Sequence, residues 1–103
     1  MHYEVIFYNL KKGKDPKEFE KYVKENKITF FKGMQTKNKY TLIYNTAAKG
    51  GGKAPYDYIA IVEYEDKAAW DKESSEAPFG KMIQGWLEWV DGVTMTEAEK
   101  LTD

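Results

Sequence analysis

The sequence predicts an α+β fold, a four-stranded antiparallel sheet with both helices on one face, and three observations carry that prediction. Two runs, His2–Leu10 and Tyr58–Tyr64, are dense in aromatic and β-branched residues, the side chains that suit a pleated and packed surface. Each is followed by a helical pattern, one opening at Asp15 and one after Asp66. A third strand pattern, Lys39–Thr46, runs to Tyr58 through a glycine-rich connection with no helix between. With a short last strand, the order is β-α-β-β-α-β, and such a chain packs with its first and third strands side by side at the centre of the sheet.

The first strand ends at Lys11-Lys12-Gly13-Lys14. Alternation places His2, Glu4, Ile6 and Tyr8 on one of its faces and Tyr3, Val5, Phe7 and Asn9 on the other. Asp15-Pro16-Lys17-Glu18 supplies an N-cap, a proline at the first helical position and a glutamate where a capping box needs it. Phe19, Tyr22 and Val23 share one stripe of a helix expected to reach about Asn26, and Lys27–Met34 reads ambiguously as helix or turn. Gly50-Gly51-Gly52, between Lys49 and Lys53, resembles a phosphate loop in composition only. Such loops lead from a strand into a helix and end in Gly-Lys-Ser/Thr, whereas this one joins two strands as a hairpin connection.

The second helical region comes in two pieces. Lys67 to about Ser74 carries Trp70, and Ser75-Glu76-Ala77-Pro78 interrupts it, because proline is tolerated at a helix start and not in its middle. Phe79, Met82, Ile83, Trp86, Leu87 and Val90 then follow the clearest helical spacing in the chain. Gly80 and Gly85 within it mark places where a backbone or ligand comes close. Asp91-Gly92 stops the helix, Val93–Met95 is expected as the short last strand, and Thr96–Glu99 as a final turn or frayed end.

The two central runs are apolar on both faces, while two helices can cover only one. The uncovered face therefore calls for a partner, most economically the same face of a second copy, giving a back-to-back homodimer with a barrel-like interior. Composition fits one domain, residues 1–103, which hides only roughly two thirds of its unfolded surface on folding. With no Cys and one His, a Cys/His metal site or disulfide framework is excluded, and no metal is expected. All sixteen basic residues are Lys, so the bidentate Arg fork that favours nucleotides is missing. Twelve of these lysines lie in residues 1–55 and twelve of the seventeen acids in residues 56–103, but a pI near 5.9 speaks against nucleic-acid binding. No apolar run approaches the ~20 residues that cross a bilayer. The N-terminus enters a strand without a basic, cleavable leader, so a cytoplasmic location is expected.

This ferredoxin-like order, the first strand ending in Leu10-Lys11-Lys12-Gly13, the Asp15-Pro16-Lys17-Glu18-Phe19-Glu20 helix start, and Tyr58-Ile59-Ala60-Ile61-Val62 leading to Ala77-Pro78-Phe79-Gly80-Lys81-Met82-Ile83 resemble the dimeric α+β barrel superfamily. Within it the chain is most similar to the RedY-like/HapK group, associated with prodiginine and bisindole biosynthesis. The resemblance implies a small apolar cavity between sheet and helices that works without cofactor on a small aromatic or apolar ligand. It implies condensation, cyclisation or proton transfer on an aromatic intermediate of secondary metabolism. A cofactor-free quinol monooxygenase, or a non-catalytic binding or assembly module, are the alternatives. The superfamily's haem-degrading members use a strand Asn, a helix Trp and a helix His; Asn9 and Trp70 resemble the first two, but no helix here contains a His. Plant polyketide cyclases of the fold place a His where this chain has Pro78-Phe79-Gly80, so a Glu or Tyr would have to replace it.

The residues themselves offer three candidates for acid or base. Glu63 breaks the apolar third strand, and Glu4 and His2 share a face of the first; a carboxylate in an apolar strand either has its pKa raised by desolvation or finds a partner. The structural alternative is that both glutamates reach the sheet ends or pair with lysines. Tyr8, Tyr44, Trp70, Phe79 and Trp86 are candidate substrate-binding walls, with ordinary core or dimer interface as their alternative role.

Overall fold

The structure is a computed structural model that describes all 103 residues. Strands β1 (His2–Leu10), β2 (Asn38–Tyr44), β3 (Tyr58–Tyr64) and β4 (Val90–Glu99) form one sheet in the order β2-β3-β1-β4, every neighbouring pair antiparallel. Helices α1 (Pro16–Tyr22), α2 (Ile28–Gly33), α3 (Lys67–Ser74) and α4 (Ala77–Leu87) make the second layer. A thickness of 19 Å matches one sheet and one layer of helices. No helix is long and apolar enough to cross a membrane.

Asp15 caps α1 by accepting from the Lys17 N–H (2.9 Å), and Asp66 caps α3 by accepting from the Ala69 N–H (2.9 Å). The break between α3 and α4 falls at Ser75-Glu76, with Pro78 in the first turn of α4. In the connection from β2 to β3, Gly50, Gly51 and Gly52 all have positive φ (94°, 111° and 83°). Three successive residues in that region suit only glycine, so the cluster serves a turn.

The first helical region runs further than its pattern suggests. After α1 the chain passes through one π turn, Val23–Lys27, and continues as α2, so Lys27–Gly33 is helix throughout. The Ile28 N–H donates to the Val23 carbonyl, five residues back, and the Asn26 side chain donates to the Tyr22 carbonyl (3.1 Å). The reason is visible in the spacing Phe19, Val23, Lys27, Phe31, all four buried. In a pure α-helix each four-residue step drifts by roughly 40° round the axis; a wider turn takes up part of that drift and keeps the four side chains on the sheet side. The last strand is also longer than Val93–Met95. Pairing with β1 runs from Val90 opposite Leu10 to Glu99 opposite His2, because an unfilled sheet edge outweighs the weak strand preference of Glu97-Ala98-Glu99.

Burial in β3 alternates strictly. Tyr58, Ala60, Val62 and Tyr64 lie under the helices, and Ile59, Ile61 and Glu63 are half-exposed on the open face. Within one chain, then, the central strands are covered on one side only. Two adjoining clusters fill the covered side. Ile6, Tyr8, Phe19, Val23, Tyr58, Ala60, Trp86 and Val90 form one, and Phe31, Val62, Tyr64, Trp70 and Met82 the other.

A candidate active site between sheet and helices

Where the two clusters meet, the layers do not close completely. A cavity of about 410 Å³ remains, floored by Glu4 and Ile6 of β1 and Val62 of β3, walled by Lys27 and Phe31, and roofed by Trp70, Phe79, Ile83 and Trp86. Met95 on β4, half-exposed, stands at its rim, and Gly80 leaves open space where a Cβ would sit. Four aromatic rings, Phe31, Trp70, Phe79 and Trp86, stand among its aliphatic and polar lining residues. Trp70 stacks on Tyr64 (4.7 Å, 10°), lies parallel to Phe31 (6.2 Å, 7°) and meets Phe79 edge-on (5.9 Å, 84°). A cavity with this lining suits an apolar ligand.

Glu4 is the carboxylate of this slot. Its Oε2 accepts a hydrogen bond from Trp70 Nε1. Burial raises its pKa, the Trp70 bond opposes that, and the negative charges of Glu97 and Asp71 push it up again, with Lys67 pulling down. Glu97 sits directly across from Glu4 on β4, and Lys67 binds Asp71 (2.9 Å) and approaches Glu97 (3.8 Å). A carboxyl that is raised, oriented and faced by an apolar cavity is suited to exchanging a proton with a ligand.

The other expected residues are divided by strand parity. Glu63 lies opposite Tyr3 and Lys39 on the open face of the sheet, away from the cavity that Glu4 faces. His2 is at the sheet end, stacked on Tyr64 (5.8 Å) with Nδ1 3.8 Å from Glu99, and lines a separate hollow with Lys67 and Glu97. Trp70, Phe79 and Trp86 are cavity walls. Tyr8 is fully buried behind Trp86, meeting its ring edge-on at 4.9 Å, and does not line the cavity; its hydroxyl is pushed up by burial. Tyr44 does not line it either, being 54% exposed at the far end of β2 against Tyr58. Asn9 is engaged elsewhere, its Oδ1 accepting from the Asp57 N–H (2.9 Å) while Asp57 accepts from the Leu10 N–H (3.0 Å).

Lys27 is the site residue that sequence reasoning missed. It is 1% exposed, its Nζ lies 3.9 Å from the Trp86 ring centroid, 5.6 Å from Tyr40 and 6.0 Å from Phe31, and none of the chain's ion pairs includes it. Burial pulls its pKa down to about 7. The aromatic faces favour the ammonium, so this amine stands near the balance between its two forms at neutral pH. Its signal was present in the sequence: a lysine four residues after Val23 and four before Phe31 occupies an apolar stripe. Around Trp86 the hydroxyls of Tyr8, Tyr40 and Tyr58 and the Trp86 Nε1 are buried with no hydrogen-bond partner in the chain.

The family model described as REDY-like protein HapK matches residues 2–101. No curated protein matches. Among solved structures, HapK from Hahella chejuensis superposes with a TM-score of 0.79 at 17% identity, covering 100% of this chain and 95% of that one. The Arabidopsis thaliana protein At3g17210 gives 0.78 at 15%, covering 100% and 98%. SnoaB from Streptomyces nogalater, described as a cofactor-independent oxygenase, gives 0.76 at 14%, covering 99% and 94%. At these identities the superpositions establish the ferredoxin-like fold.

Proposed function

The chain belongs to the REDY-like HapK family, and on that footing we propose that it is a cofactor-independent enzyme of secondary-metabolite biosynthesis of the prodiginine, bisindole or aromatic polyketide type. It takes an aromatic intermediate into the cavity and moves a proton on it, in the course of condensation or cyclisation. The observation that carries this is Glu4: a desolvated carboxyl, fixed by Trp70, in a slot walled by aromatic rings. Orientation by stacking and exclusion of water supply the rest of the rate.

Two model ligands, indole and 1-naphthol, test it. Both should quench the fluorescence of Trp70 and Trp86, and the protein should accelerate exchange of their ring hydrogens with deuterated water, read by NMR. Glu4→Gln should keep the quenching and lose the exchange by about a hundredfold or more. Binding without any acceleration by the native chain would make it a binding or assembly module. A cofactor-free monooxygenase of quinols is the second reading, favoured by the description of SnoaB; oxygen uptake with a panel of quinols separates the two.

The open sheet face supports a homodimer. Val5, Phe7, Ile59 and Ile61 are half-exposed there and Ile43 is 41% exposed, an apolar surface in the middle of a sheet. A solution mass of two chains at micromolar concentration is expected, and a mass of one would remove this part of the proposal.

A further inference from the structure

We propose that Lys27 is a nucleophile that forms an imine with an aldehyde or ketone substrate. The inference rests on the reading of the cavity as the substrate site and narrows the substrate to carbonyl compounds. Its basis is geometric. A lysine whose charge has no carboxylate within ion-pair distance, buried at the wall of an aromatic cavity, is a costly arrangement for the fold alone. The π turn is what brings that side chain onto the sheet side, and such turns recur at functional sites. Desolvation then serves reactivity, because only the uncharged amine attacks a carbonyl carbon, and burial with a pKa of about 7 provides it at neutral pH.

The step balances with water alone. The Lys27 nitrogen lone pair bonds to the carbonyl carbon, and the C=O π pair moves to oxygen, which takes up the proton released from nitrogen. The hydroxyl so formed takes a second proton from solvent and leaves as water, and C=N forms as a protonated imine. No oxidant or reductant is consumed. An electron-rich ring then attacks the iminium carbon and loses its proton to solvent. The product leaves when the Lys27 nitrogen takes up a proton and the ring's electron pair breaks the C–N bond, which restores the amine. An aromatic cavity lining stabilises the cationic intermediate through the ring faces of Trp86 and Phe31.

Benzaldehyde with cyanoborohydride at pH 7, followed by mass spectrometry of the intact chain and its peptides, tests the proposal. A benzyl group is expected on the peptide that holds Lys27, forming on the order of a hundredfold faster than on the peptides that hold exposed lysines. Lys27→Met, which keeps the volume, and Lys27→Arg, which keeps the charge, should each abolish that adduct while circular dichroism stays native. Labelling spread over surface lysines, unchanged in Lys27→Met, would overturn the proposal. If benzaldehyde still quenched the tryptophans in that case, the cavity would remain the ligand site and only the imine would fall. Loss of both labelling and quenching would take the cavity reading with it.

Discussion

Glu4 and Glu63 lie on adjacent central strands, and the two faces of the sheet make them different residues. Glu4 points under the helices, where burial raises its pKa and Trp70 holds it. Glu63, one register step off, shares the open face with Tyr3 and Lys39. Their sequence settings are alike, each a carboxylate amid apolar and aromatic neighbours. The difference teaches that parity, set by which face the helices cover, decides whether a strand carboxylate lies at the cavity or on the open face. When both faces of a strand are apolar, its own sequence does not reveal the parity.

The strongest way to break this comparison is to charge one face at a time. Val62→Asp buries an unpaired carboxylate under the helices and should cost about 4 kcal/mol or more, enough to unfold most domains of this size. Ile61→Asp, the next residue along, should cost less than about 1 kcal/mol in the single chain while converting the proposed dimer to a monomer. Denaturant unfolding with sedimentation would measure both. Equal destabilisation in the two variants would mean that the faces are not distinct in the way the structure describes.

Next in size, Glu4→Gln should reduce hydrogen exchange on bound indole or 1-naphthol by about a hundredfold, and Glu63→Gln by less than about twofold. A larger loss in the second variant would move the chemistry to the open face.

Lys27 sharpens the comparison through pH. Its folded pKa lies below its unfolded value, so between about 7 and the unfolded value near 10.4 the unfolded chain binds the extra proton. Stability then rises with pH across that window, and the cost of burying the amine is fully present below it. Lys27→Met should therefore be more stable than the native chain at pH 7, with the gap shrinking by up to roughly 1.4 kcal/mol per pH unit above that. Thermal unfolding of both proteins from pH 6 to 10 would show it; a gap independent of pH would mean the amine is not desolvated in the fold.

A smaller effect on stability than that of Val62→Asp is expected at Glu73. Its two oxygens accept from the Gln35 and Thr36 N–H groups (2.9 and 2.8 Å), joining α3 to the end of the first helical region. Burial alone would raise its pKa, but the bonds from Thr36 and Gln35 outweigh it and hold the value low. For a carboxylate with a depressed folded pKa, the stabilisation is present above the unfolded value and lost as pH falls through the folded one. Glu73→Gln should cost about 1 kcal/mol at pH 7 and less at pH 3, measured by urea unfolding at both.

Much of this architecture was legible because local signals agreed with one another. Asp15-Pro16, the break before Pro78 and the glycine turn all name their own geometry, and the β-α-β-β-α-β order leaves little choice of packing. Trp70, Phe79 and Trp86 were legible as walls for the same reason, lying on the inward stripes of their helices. Tyr44 was not, since an aromatic at a strand end looks the same whether covered or bare. Lys27 was hidden by its chemistry: lysines belong on surfaces in general, and only the even spacing of Phe19, Val23, Lys27 and Phe31 placed this one inside. The length of β4 depended on an edge that exists only once β1 is in place.

The π turn carries a consequence for insertions and deletions. A helix with one residue fewer, without Asn26, needs no wide turn: Phe19, Val23, Lys27 and Phe31 would be spaced 4, 3 and 4, which keeps them within about 60° of one another on a plain α-helix. Circular dichroism should then show the helix content retained, and the adduct at the lysine should still form. The wide turn is thus the mark of one extra residue, absorbed without turning the amine out of the core.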